Sequence, residues 1–182
     1  LTEPQAGSDA SNLRTTADLR GNRYVINGSK QFISSGASAD IALIFGVTDS
    51  DSGKKGISAF IAPTDSPGYK VVAKEDKLGQ RASDTCQLSF EDLEVFPDMV
   101  LGELGEGYRI ALANLEGGRI GIGAQALGIA RAAYEAALSY AKERESMGQA
   151  IIQHQAVAFR LADMATKIEV ARQMIWHAAA LK

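Results

Sequence analysis

The period of the apolar positions changes once along this chain. Up to Pro97 they come in short alternating or continuous runs rich in Ile, Val, Phe and Tyr, bounded by Gly, Pro, Asn, Asp and Ser, which is the pattern of strands and turns. Residues 23–26 and 30–34 flank Asn27-Gly28-Ser29, and Asn-Gly supplies the positive φ angles of a tight turn, so a β-hairpin is expected there. Residues 39–47 (ADIALIFGV) and 56–62 (GISAFIA), separated by the polar TDSDSGKK, predict two more strands. Residues 69–74 and 85–96 predict another two, with turns at Ser66-Pro67-Gly68 and Pro97-Asp98. Residues 1–22 mix Pro, Gly, Ser and Asp with a short alternating stretch and predict a structured loop entering a strand.

From Gly105 the period is helical. Leu127, Ala130, Tyr134, Leu138 and Ala141 recur at spacings of three and four, and after a break at Met147-Gly148 a second stripe runs through Val157, Leu161, Ala165, Ile168, Arg172, Ile175 and Ala179. The expected fold class is α+β: a small antiparallel β-sandwich or barrel over residues 1–103, then part of an α-helical bundle over residues 104–182. The two stripes are too wide to satisfy one another, so further helices are expected in the full protein. A first residue that is Leu and a last helix without a stop signal point the same way, to a segment of a longer polypeptide.

Composition narrows the function classes. A chain of 182 residues with 46% apolar and 23% charged residues suits one ordinary globular domain or slightly more. The net charge of −3 offers no general attraction to nucleic acid or anionic membrane, and neither partner is expected. No apolar run approaches the roughly 18 residues of a membrane-spanning helix. The single Cys86 excludes an internal disulfide, fits a reducing compartment and reads as a packed core thiol; with only His154 and His177 besides, no metal site is expected.

Three stretches carry candidate chemistry, each beside a plainer reading. Residues 121–126 (GIGAQA) match the short dinucleotide fingerprint, but no strand precedes the first glycine, so the match is accidental and the glycines serve close approach to a helix. Residues 1–9 (LTEPQAGSD) concentrate hydroxyls and backbone donors at one turn, where Thr2 and Ser8 could meet a polar ring edge; alone they are only a polar turn. Phe32-Ile33-Ser34 adds an aromatic beside a hydroxyl, which suits a flavin, although a lone strand Phe is ordinarily core. Residues 140–155 (YAKERESMGQAIIQHQ) put Arg144, Ser146 and the Gly148 backbone at a helix end, a set able to hold a diphosphate or simply a solvated terminus. Arg119 and Arg144, 25 residues apart, would lie about 37 Å apart along one helix and cannot share a small ligand.

Taken in order, LTEPQAGSD, NGSKQFISSG, KLGQRASDTCQLSFEDLEV, EGGRIGIGAQALGIA and YAKERESMGQ resemble the acyl-CoA dehydrogenase family, most of all its short-chain and short-branched-chain members, over essentially the whole chain. The resemblance implies a middle β-domain and the first part of a C-terminal helical domain of a flavoprotein, usually a homotetramer. It implies FAD as cofactor, acyl-CoA as substrate and electron-transfer flavoprotein as partner, in the cytoplasm of a bacterium or the mitochondrial matrix of a eukaryote. By position, Leu1, Thr2, Gly7 and Ser8 match the flavin-edge loop, with Ser8 also near the thioester. Phe32 matches the aromatic beside the isoalloxazine, and Ser34 the hydroxyl near flavin N5. Arg119 matches the arginine lining the acyl-CoA site. Arg144, Ser146, Met147 and Gln155 match the segment that holds the FAD diphosphate and adenosine of a neighbouring subunit, with Met147 in place of the usual Phe. Gln5 stands where many relatives have Gly, which requires a negative φ.

The family reaction is α,β-desaturation of an acyl-CoA thioester, with a glutamate as base. In isovaleryl and long-chain members that glutamate immediately precedes the helix arginine, and that position here is Gly118. Glu116 lies about 200° around the helix from it and cannot stand in. The resemblance therefore implies a catalytic base beyond Lys182 and no catalytic residue within the chain. A flavin oxidase on the same fold and a non-catalytic binding or scaffold relative remain as alternatives.

Overall fold

The computed structural model describes all 182 residues, Leu1–Lys182, and divides into two compact units, Leu1–Ala113 and Asn114–Lys182. The first unit is built on one six-stranded sheet. Its strands are β1 (Thr16–Arg20), β2 (Arg23–Ser34), β3 (Ile41–Val47), β4 (Ile57–Pro63), β5 (Tyr69–Lys74) and β6 (Thr85–Val95), in the order β4-β3-β1-β2-β6-β5. All neighbours pair antiparallel except β1 and β3, which meet in parallel at Thr16 and Val47.

The sheet curls over its own inner face. Phe60 on β4 and Tyr24 on β2 are three strands apart in the pairing order, about 14 Å if the sheet were flat. Their ring centroids lie 5.2 Å apart. Around them Ile26, Ile44, Leu88, Leu93, Val95 and Cys86 form the core. Burying side chains such as Ile26, Phe60 and Leu88 contributes roughly 1.5–3 kcal/mol each. Cys86 is fully buried, as its solitary occurrence suggested.

The hairpin expected at Asn27-Gly28 is not a hairpin. β2 runs unbroken through it, and the reversal comes earlier, where Arg20 pairs with Arg23 across Gly21-Asn22 and Gly21 takes φ +63. Asn-Gly instead forms a bulge against β6: the register shifts between Ile26 and Gly28, and Gly28 takes φ +149. The Asn27 side chain donates to Asp92 at 3.1 Å and accepts from the Asp92 backbone N–H at 2.8 Å, closing the irregularity. Asn-Gly thus supplies the positive φ it promises, but the inward register of Tyr24 and Ile26 keeps the strand going.

α1 spans Gly107–Glu143 and α2 spans Gln155–Ala180, joined by a two-residue hairpin of β7 (Glu145–Ser146) and β8 (Gln149–Ala150). The expected break is a turn in which Met147 and Gly148 both have positive φ, +55 and +77, as a type I′ turn requires. Within the second unit the helices pack through small residues: Ile175 lies 3.6 Å from where a Gly123 side chain would begin, and Ala126, Leu127 and Ala130 face Ile168 and Ala171. The dinucleotide-like glycines lie inside α1, with no strand before them. Of the expected stripes, Ala141 and Leu161 are buried, Leu127, Tyr134, Leu138, Val157, Ala165, Ile168, Arg172 and Ile175 are half-buried, and Ala130 and Ala179 are exposed; outside the stripes, Ile122, Ile129, Phe159, Met174 and Trp176 add exposed apolar surface.

Gly28 makes a sharp test of the bulge. An added Cβ would lie 2.5 Å from Thr15 Oγ1 and 2.7 Å from Thr15 Cα. Gly28→Ala is expected to destabilise the β unit by about 2 kcal/mol or more, measured as lost amide-exchange protection along β2; unchanged protection would contradict the bulge.

Candidate functional site

In the first unit the candidate site is assembled around a buried ion pair. Lys30, on the inward-facing register of β2, sends its ammonium to Glu3 Oε1 at 2.7 Å, and both side chains are 2% exposed. Lys30 also donates to the Phe45 carbonyl at 2.7 Å and the Leu1 carbonyl at 3.3 Å. Glu3 accepts from the Arg14 N–H at 2.7 Å, the Thr15 N–H at 3.1 Å and Gln5 Nε2 at 2.7 Å. Neither charge is left without hydrogen bonds, the condition under which a buried pair is tolerated. Burial alone would raise the Glu3 pKa, but the bonds from Lys30, Thr15 and Arg14 outweigh it and bring it down to about 2. Burial lowers the Lys30 pKa, partly offset by Glu3.

This pair fixes residues 1–9 against the sheet. Glu3 and Ala6 exchange backbone hydrogen bonds of 3.0 Å across Pro4-Gln5, and the Gln31 N–H donates to the Thr2 carbonyl at 2.8 Å. Gln5 has no positive φ, so it is accommodated where a glycine would also serve. Leu1 and Ser34 line one cleft with Ile33, Ile41 and Tyr69. Gly7 and Ser8 are exposed farther along the loop and form no hydrogen bond to β2; space is open beside Gly7.

Phe32 departs from the reading of a strand aromatic as core. The β2–β6 register slips between Lys30 and Ile33, Phe32 adopts φ +57, and its side chain is 62% exposed. A left-handed bulky residue is a strained outlier, and here it turns the ring out of the sheet. Ser34 is exposed two residues on, and its hydroxyl bonds to nothing within the chain. The turn after it is clasped by Asp84, which accepts from the Ala37 N–H at 2.9 Å, Ser38 Oγ at 2.6 Å and the Cys86 thiol at 3.2 Å, while its own carbonyl accepts from the Ser35 N–H at 2.9 Å. Bonds from Ser38 foremost, then Ala37 and Cys86, hold the Asp84 carboxyl down at about 2, while burial first and then the bond to Asp84 push the Cys86 thiol up.

In the second unit Arg119 lies exposed on α1 beside Asn114, Leu115, Gly118 and Ile122. Arg144 immediately follows the last residue of α1, and Gln155 is the first of α2, so the connector brings Arg144, Ser146, Met147 and Gln155 into one short stretch. All four side chains are exposed, and the Arg144 guanidinium has no partner within the chain. The connector is closed by the Ile151 N–H donating to the Arg144 carbonyl at 2.8 Å and by contacts of His154.

Glu3, Lys30, Asp84 and His154 are absent from the sequence-derived site. Lys30 had a signal, since its parity with Tyr24 and Ile26 marks it as inward-facing. Asp84 and His154 act on backbone and side-chain groups brought close only by the fold.

The family model described as "Acyl-CoA dehydrogenase, middle domain" matches residues 1–93, and the one described as "Acyl-CoA dehydrogenase, C-terminal domain" matches residues 105–182. An acyl-CoA dehydrogenase of Bacillus subtilis is 52% identical over 181 residues, covering 100% of this chain and 48% of the relative. The structure of butyryl-CoA dehydrogenase from Megasphaera elsdenii superposes with TM-score 0.96 at 46% identity, over 99% of this chain and 47% of that one. A structure described as the electron transferring flavoprotein of Acidaminococcus fermentans matches with TM-score 0.96 at 52% identity, over 100% of this chain and 48% of that one. The chain thus spans about half the length of the curated relatives it matches.

Removing one partner of the ion pair strands the other. Glu3→Gln is expected to cost about 3–5 kcal/mol, and Glu3→Gln with Lys30→Met less than the sum of the single losses, measured by denaturant-dependent amide exchange in β2; additive losses would contradict the pairing. The acid side has a defined sign. Glu3 is depressed from 4.5 to about 2, so its stabilisation is complete above pH 4.5 and is lost as the pH falls toward 2. The wild-type protein should lose stability across that window more steeply than Glu3→Gln; parallel curves would contradict the assignment. Two matched domains, an ordered fold and relatives of one kind agree: the chain belongs to the acyl-CoA dehydrogenase family.

Proposed function

We propose that the intact protein is a FAD-dependent acyl-CoA dehydrogenase that desaturates short or short-branched acyl-CoA thioesters, and that this chain supplies much of its flavin contact surface. The observation that carries this reading is Phe32, held at φ +57 in a bulge with its ring 62% exposed, two residues from a free hydroxyl at Ser34. Strain that turns an aromatic out of a core is suited to stacking on a flat ring. The cleft lined by Leu1 and Ser34 holds about 200 Å³, below the roughly 300–1,000 Å³ of pockets that enclose a ligand, so this cleft offers a face to stack on.

In this reading residues 1–103 form the domain that meets flavin and acyl-CoA, and residues 104–182 the first helices of the helical domain. Leu1, Thr2, Gly7, Ser8, Phe32 and Ser34 orient the isoalloxazine through backbone groups, hydroxyls and one ring face. Ser8 and Arg119 contact the acyl-CoA. Arg144, Ser146, Met147 and Gln155 hold the diphosphate and adenosine of a FAD bound to a neighbouring subunit of a homo-oligomer. The donor set fits: a hydroxyl at Ser146 and a guanidinium at Arg144 that have no partner within the chain, at a connector whose backbone is already tied. When bound, FAD supplies the two-electron acceptor for the β-hydrogen, and its electrons leave to an electron-transfer flavoprotein. Gly118 brings no carboxylate to the Arg119 position, so the base that takes the α-proton lies outside residues 1–182.

Phe32→Ala in the intact enzyme is expected to weaken FAD binding roughly three- to tenfold, read by flavin titration, since a stacked aromatic contributes about 0.5–1.5 kcal/mol; unchanged affinity would sink the stacking role. The 182 residues alone are expected not to turn over butyryl-CoA, and turnover would refute a base elsewhere. Reduced intact enzyme should pass electrons to electron-transfer flavoprotein faster than to oxygen; the opposite order would favour an oxidase.

A further inference from the structure

The connector between α1 and α2 contains a side chain that no candidate role uses. His154 is half-buried, and its backbone and imidazole are tied to different elements. Its N–H donates to the Ile151 carbonyl at 3.1 Å, and its carbonyl accepts from the Val157 and Ala158 N–H groups at 3.0 Å, which makes it the N-cap of α2. Its ring turns back to the β7–β8 hairpin, with Nε2 3.2 Å from the Ser146 carbonyl oxygen and Nδ1 3.3 Å from Gln149 Nε2.

With the Gln149 amide nitrogen toward the ring, one tautomer meets both contacts. A carbonyl oxygen only accepts, so Nε2 carries the proton; a side-chain amide nitrogen only donates, so Nδ1 is the bare acceptor. The ring is a strut between the start of α2, where Gln155 follows, and the strand carrying Ser146, which adjoins Arg144 and Met147. The turn it braces needs support, since Met147 stands at φ +55 with its side chain 93% exposed and no packing to hold it.

We propose that His154 is the positioning residue of this connector: as the Nε2–H tautomer it sets the geometry in which Arg144, Ser146 and Gln155 meet the FAD diphosphate. This rests on the diphosphate reading given above for those residues. His154 touches no cofactor atom itself; it holds the backbone from which the contacts are made. Leu at this position would keep some bulk but lose both hydrogen bonds, whereas Gln presents one acceptor and one donor and can restore them.

The test uses the intact FAD-loaded enzyme. Solid-state 15N spectra of histidine-labelled protein should show His154 with a protonated Nε2 and a bare Nδ1; a bare Nε2 would overturn the proposal without any variant. His154→Leu should weaken FAD binding about tenfold, the scale of a lost orienting hydrogen bond, and His154→Gln should recover most of it. Arg144→Gln separates the two readings. If it weakens FAD binding while His154→Leu does not, the diphosphate assignment stands and the positioning role falls. If Arg144→Gln leaves FAD affinity unchanged, the assignment falls and the positioning role with it.

Discussion

The Glu3–Lys30 pair is the contact on which the β unit's candidate surface depends. Two opposite charges at 2.7 Å, each 2% exposed, are costly to desolvate, and they persist because both are further hydrogen-bonded to backbone groups. The bonds join the first turn of the chain to β2, β3 and the strand entry at Arg14 and Thr15. A turn rich in Gly, Ser and Asp has little apolar area with which to hold itself in place. The buried pair does so instead, and the Thr2–Gln31 bond then carries the loop up to the bulge that turns Phe32 outward.

A second theme is strain held at the edges of regular structure. Positive φ at Phe32, Ser35 and Met147 falls where a strand bulges, a turn is clasped or a hairpin reverses, and a polar clamp stands near the last two. Asp84 clamps the Ser35 turn, and His154 the Met147 turn. Such conformations persist only when neighbouring bonds over-determine them, which accounts for so many backbone groups being drawn into the clamps.

Much of the fold is legible in the chain. The alternation of the first hundred residues, the switch to a helical period after Pro97 and the break at Met147-Gly148 each correspond to observed elements. Asn27-Gly28 misled because positive φ serves bulges as well as turns, and only the register against β6 tells them apart. The candidate positions Leu1, Thr2, Phe32 and Ser34 are drawn to one part of the β unit, and Arg144, Ser146, Met147 and Gln155 to one connector. The clamps were illegible for a simple reason: Asp84 and His154 act on backbone groups and side chains that only the fold brings opposite them, and a sequence pattern carries no record of those pairings.

In the proposed enzyme one cofactor's contacts are divided between two subunits, with the ring met by the β unit of one and the diphosphate by the connector of another. The direct measurement is tight FAD content in hetero-oligomers co-assembled from Phe32→Ala and Arg144→Gln subunits. If the contacts come from different subunits, pairing the two variants regenerates unaltered sites at about half the positions of a symmetric assembly, and tight FAD binding reappears there. If both contacts come from one subunit, every site keeps a defect and the mixed assembly binds FAD no better than the single-variant assemblies, a result that would contradict the account.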